Sequence, residues 1–134
     1  MKYALLFFIL IYAKSCDSKK ATIDSLEGTW KITAIQNTEI TTNDATKCTI
    51  NIGNSTIVMT VGCNNHTGEL KMVSDKIQVS NVFATEKYCP KLDALEKQLS
   101  ANLPVVSDFN LKNNELELLN TDGDTVFTLV KKVP

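Results

Sequence analysis

The chain has 134 residues, 22% of them charged, with a formal net charge of −1 and one histidine. That length carries one domain with a core of ordinary size. No basic cluster is present that would neutralise a phosphate backbone, so nucleic acid is not an expected partner. The Lys131-Lys132 pair reads as a solvated strand end.

The first stretch stands apart. Met1-Lys2 supplies a positive start, and Ala4 to Ala13 is an unbroken apolar run. The run is too short for a membrane span of about 20 residues. A charged start, a short apolar run and small residues at the break describe a secretory signal over residues 1–15. Two processing routes fit the break. Ala13 and Ser15 are small residues at alternate positions, as an ordinary signal peptidase prefers. Ser15-Cys16 also resembles the end of a bacterial lipobox, in which Cys16 becomes the lipidated first residue of the mature protein. Lys14 departs from the small residue usual beside that position. On the lipoprotein reading, residues 16–25 form a tether opening with Asp17-Ser18-Lys19-Lys20, and the protein is held at a membrane. Plain secretion is the alternative. Removal of residues 1–15 leaves 119 residues, and loss of Lys2 and Lys14 takes the charge from −1 to −3.

The domain proper is read as residues 26–134. Leu26-Glu27-Gly28-Thr29-Trp30 opens it. Trp30, Ile32 and Ala34 then alternate with polar residues, the period of a half-buried strand. Asn37 to Lys47 is polar and reads as a loop. Cys48, Ile50 and Ile52 alternate, Gly53-Asn54 turns the chain, and Ile57, Met59 and Val61 answer in a second strand, which makes a hairpin. Leu70 with Met72, and Ile77 with Val79, mark two more strands about Ser74-Asp75. Pro90 precedes a stretch in which Leu92, Leu95 and Leu99 share one helical face, and proline suits a first helical turn. The helix is expected to lie across an end or face of the sheet. Val105, Ser107, Phe109 and Leu111 mark the next strand, Leu116 and Leu118 continue after Asn113-Asn114, and Val126 to Val130 follow an Asp122-Gly123 turn. The expectation is a mainly β, antiparallel, barrel-like domain of about eight strands with one short helix.

The polar cluster of the chain is Gly62-Cys63-Asn64-Asn65-His66-Thr67-Gly68, followed by Phe83 to Cys89. Glycines and asparagines there suit a tight, structured corner between strands. Cys63, His66, Cys89 and Cys48 can be assembled on paper as a zinc set, but zinc motifs supply paired short spacings that are missing here. A cysteine or serine nucleophile would need His66 as its base. The simpler reading makes His66 an exposed loop residue, and no catalytic residue, metal or cofactor is assigned. Glu115 and Glu117 read as a solvated strand face. Asn54-Ser55-Thr56 and Asn65-His66-Thr67 match the glycosylation pattern.

These residues carry a resemblance. Leu26, Gly28, Thr29 and Trp30, then Gly62, Cys63, Asn64 and Gly68, then Thr85 and Cys89 ahead of a helix, resemble in order the motifs of the META domain, the family of the bacterial heat-shock protein HslJ. Cys48 is outside that pattern. The resemblance implies a compact β-barrel-like fold with one helix, exported to the cell envelope and without established enzymatic activity. Members are linked to stress responses.

Export places Cys48, Cys63 and Cys89 where disulfides persist. Cys63 and Cys89 end strand-like runs and are expected to bridge. Cys48, in phase with Ile50 and Ile52, is expected to be a buried thiol. A Cys48–Cys63 bridge is the alternative. The reading is a non-catalytic, monomeric envelope lipoprotein that binds an unidentified protein or small molecule or supports the envelope under stress. Its rival is a secreted protease inhibitor acting through residues 37–47 or 99–105.

Overall fold

The computed structural model describes residues 22–41 and 47–133. Residues 1–15, Cys16, most of the tether and part of the 37–47 segment lie outside the described residues. A short helix α1 (Ile23–Leu26) leads into β1 (Gly28–Ile35) and β2 (Thr38–Glu39). Then come β3 (Thr49–Gly53), β4 (Thr56–Thr60), β5 (Asn65–Val73) and β6 (Lys76–Ala84). Helix α2 (Asp93–Asn102) and a single 3₁₀ turn (Leu103–Val105) separate these from β7 (Asp108–Lys112), β8 (Glu115–Leu119) and β9 (Thr125–Lys131).

The strands form one antiparallel sheet in the order β6-β5-β4-β3-β1-β9-β8-β7, with β2 attached to β1. Alternation sets its inner face. Trp30, Ile50, Ile57, Leu70, Leu116 and Phe127 are buried on it, and each such side chain contributes roughly 1.5–3 kcal/mol. The sheet curls into a half-barrel. Its end strands β6 and β7 meet through an ion pair, Lys76 Nζ to Asp108 Oδ2 at 3.2 Å, and no ladder joins them.

The mainly β architecture with its helix is as expected, and several boundaries differ. The β3–β4 turn is Asn54-Ser55, both at positive φ (50° and 59°), with Gly53 paired to Thr56 as the end of the ladder. That is a type I′ turn, whose twist matches the strands. Helix α2 starts three residues after Pro90, so the proline is not in its first turn. Segment 99–105 is helical, which removes one of the two loops named for protease inhibition. Val105 therefore ends a 3₁₀ turn and does not open β7. The packed chain also begins before Leu26: Ile23 lies against the core from α1, inside the stretch assigned to the tether.

The first family-like motif has a packing explanation. Gly28 sits at φ 122°, and a Cβ there would meet Lys131 Nζ at 2.8 Å. Lys131 lies over the Trp30 ring, 4.4 Å from its centroid, and Trp30 Nε1 donates to Leu26 C=O at 2.8 Å. Leu26, Gly28 and Trp30 thus tie α1, β1 and β9 together.

Candidate functional site

The polar cluster lies where β4 turns into β5. Gly62 takes φ 104°, a conformation that favours glycine, and it swings the chain so that Cys63 and Asn64 face the segment 85–92 between β6 and α2. Cys63 is bridged to Cys89, with Cα atoms 6.3 Å apart. Cys48 is fully buried and outside the bridge, its Sγ–H directed at Val61 C=O. The two cysteines that flank the β3–β4 hairpin are not joined because Cys48 continues the inward phase of β3, while Cys63 lies beyond the Gly62 turn.

Asn64 is the centre of the arrangement. Its Oδ1 accepts from Lys87 N–H at 2.7 Å and from Thr85 Oγ1 at 2.9 Å. Its Nδ2 donates to Lys87 C=O at 3.0 Å. Thr85 Oγ1 in turn accepts from Asn65 N–H at 3.1 Å. One asparagine side chain therefore reads both backbone groups of Lys87, as a neighbouring strand would. Segment 85–92 becomes a strap pinned at Thr85, Lys87 and Cys89, with Tyr88 held 87% exposed between the last two.

Beneath the strap, His66 corrects the expectation of an exposed loop residue. It is the second residue of β5, paired with Met59 and Ala84, and only 2% exposed. Asn64, immediately before β5, and His66, Gly68 and Leu70 within it alternate inward, so the polar residues occupy core-facing positions. His66 Nε2 lies 2.8 Å from Glu96 Oε2, and His66 Nδ1 lies 3.2 Å from Ser100 Oγ. Glu96 Oε1 accepts from Asn64 N–H at 3.0 Å. Glu96 and Ser100 are one helical turn apart on α2, so a single helix face meets β5. With Glu96 ionised, Nε2 carries a proton and donates to it, and Nδ1 meets the Ser100 hydroxyl. Gly68 lets β6 come close: a Cβ there would meet Val79 Cγ1 at 2.8 Å.

Serine, histidine and carboxylate stand in series, yet the arrangement braces a helix against a sheet. Ser100 lies within α2, where neighbouring backbone N–H groups are spent on helical hydrogen bonds. They are not free to form a pocket for developing negative charge, which acyl transfer needs. The zinc set fails on chemistry, because Cys63 and Cys89 are joined and cannot supply thiolates. Among the described residues, no group of three or more His, Cys, Asp or Glu is placed to hold a metal ion. An open hollow of about 570 Å³ lies beside the brace, with Thr85, Glu86, Lys97 and Ser100 on its walls. Glu96 is the residue that sequence reasoning missed. It lies four residues after Leu92 and three before Leu99, in the middle of the apolar stripe, and a carboxylate there signals a buried partner.

The profile of the META domain family matches residues 22–133. No curated protein matches. Three solved structures share the fold. An NMR structure of a protein from Burkholderia xenovorans has 16% identity and a TM-score of 0.63, covering 86% of this chain and 89% of its own. A second NMR structure has 21% identity and a TM-score of 0.62, covering 82% and 94%. The crystal structure of a duf4847 family protein from Bacteroides vulgatus has 12% identity and a TM-score of 0.59, covering 79% and 93%.

Proposed function

We propose that this chain, which belongs to the META domain family, is a non-catalytic lipoprotein of the cell envelope, tethered through Cys16 and serving a binding or structural role under envelope stress. One observation carries the non-catalytic reading: the polar groups of the cluster are spent on one another. Both oxygens of Glu96, both ring nitrogens of His66 and the whole amide of Asn64 have partners inside the fold. Such a cluster holds shape. Its product is the strap, a rigid exposed segment between two anchors, and preorganisation of that kind lowers the ordering cost of binding a partner. The Cys63–Cys89 disulfide fits an oxidising compartment.

The tether is tested by the intact mass of protein taken from its native membrane. The reading expects a mature chain that begins at Cys16 and carries added diacyl or triacyl mass, and it expects Cys16→Ser to be released in soluble, folded form. A mature chain without lipid mass contradicts the anchor. A Cys16→Ser protein that misfolds contradicts the separation of tether and domain.

A further inference from the structure

Among the described residues the outer edge of β7 carries no ladder, although its Asp108 end meets β6 through Lys76, and the sequence of the strand is complementary to itself. Strand β7 pairs, among the described residues, only with β8. Their hairpin closes on the two-residue turn Asn113-Asn114, with Lys112 opposite Glu115 and Asn110 opposite Glu117. In an antiparallel ladder the backbone groups of alternate residues point to opposite sides. Phe109 N–H donates to the Asp108 carboxylate (Oδ1, 2.9 Å), so it points away from β8. Phe109 and Leu111 therefore present their backbone groups outward. A cavity of about 700 Å³ opens along this edge, between Asp75 of the β5–β6 turn and Phe109 to Lys112.

We propose that this edge is a docking surface for a second copy of the same chain, β7 pairing antiparallel with β7 about a two-fold axis through Asn110. The five residues Asp108-Phe109-Asn110-Leu111-Lys112 read as acid, apolar, polar, apolar, base. Reversed upon themselves, they set Asp108 against Lys112, Phe109 against Leu111 and Asn110 against Asn110. A two-fold interface is isologous, so both charge pairs form at once. Phe109 and Leu111 then exchange backbone hydrogen bonds in two symmetric sets. The exchange moves Phe109 N–H from its own Asp108 to the facing Leu111 carbonyl. Asp108 Oδ1 is thereby released toward the facing Lys112, while Oδ2 keeps Lys76. Lys112 is exposed and in no ion pair between described residues. Phe109 and Leu111 are half-buried on the inner face and lose further apolar surface on pairing.

Charge pattern selects the occupant. An arbitrary extended peptide would gain the backbone bonds alone, whereas a second copy also gains two cross-strand ion pairs. The contact is small and belongs to the weak class, below about 1,200 Å². To the monomeric unit expected from the sequence it adds an association that rises with concentration, as tethering to a surface supplies.

Sedimentation equilibrium of the Cys16→Ser chain, which carries neither lipid nor that thiol, up to about 1 mM tests it. Lys112→Asp faces like charges at two positions and should weaken association about tenfold or more. Combining it with Asp108→Lys inverts both partners and should restore the wild-type constant to within about threefold. Asn110→Cys adds a geometric test. The central pair is not hydrogen-bonded, so its Cα atoms should lie about 4.5 Å apart, within disulfide reach. Mild oxidation should give a covalent dimer with Asn110→Cys and none with Glu117→Cys on the adjoining strand. A chain that stays monomeric, a dimer that Lys112→Asp leaves unchanged, or equal cross-linking at both positions would overturn the proposal.

Discussion

Asn64 and the disulfide hold the same strap, so removing them together should cost less than the sum of removing each. Asn64→Ala deletes two hydrogen bonds to Lys87 backbone and one to Thr85. At about 1 kcal/mol net apiece, discounted because Lys87 and Thr85 are exposed and can turn to water, the loss is about 2 kcal/mol. Breaking the bridge with Cys63→Ser and Cys89→Ser frees a loop with a sequence separation of 26. Chain entropy puts that cost at roughly 3.5 kcal/mol. Without the bridge the strap is tied at Thr85 and Lys87 alone, and Asn64 must capture a segment that is already frayed. The triple variant should therefore fall short of the sum by at least about 1 kcal/mol. Urea denaturation followed by fluorescence reads this directly, because the chain has one tryptophan, Trp30, and it is buried. Losses that add to within about 0.5 kcal/mol would mean that Asn64 and the disulfide act on separate parts of the fold, and the clasp would be refuted.

Two further substitutions probe the brace and its strand. Glu96→Ala strands both His66 Nε2 and Asn64 N–H in a buried setting and should cost about 3 kcal/mol in the same denaturation assay; a cost below about 1 kcal/mol would show that water replaces the carboxylate. Gly68→Ala drives a methyl into Val79, 2.8 Å away, with Val82 Cγ2 at 3.3 Å, and should cost about 1–3 kcal/mol through forced displacement of β6, whereas unchanged stability would mean that β6 has room to give.

How much of this was legible in the sequence follows from what each residue type signals. Strands rich in alternating isoleucine and valine, such as Cys48–Ile52 and Ile57–Val61, declared both their period and their buried face. Strand β5 did not begin where hydrophobicity suggested. The inward positions at its start are Asn64, just before the strand, then His66, Gly68 and Leu70 within it, and three of these four carry no apolar signal, so the strand start read as a loop. The polar residues are tolerated inside because each finds a partner there, and the partners come from 20 or more residues away. No local pattern contains that information. The helix shows the converse. Its apolar stripe placed it correctly in the chain, and Glu96 in the middle of the stripe was the visible trace of the brace. The Cys63–Cys89 pairing was readable because Cys48 shares the phase of a strand and the other two do not. The open edge at β7 was hidden, since only the strand order shows which strand lies last.

The central claim is that the Gly62–Asn64 corner clamps the strap to β5, and peptide mapping of native protein under non-reducing conditions tests it most directly. The account predicts a linked pair of peptides containing Cys63 and Cys89, with Cys48 modified by thiol reagents only after unfolding. A linked Cys48–Cys63 peptide, or three thiols that react in the folded protein, would contradict it.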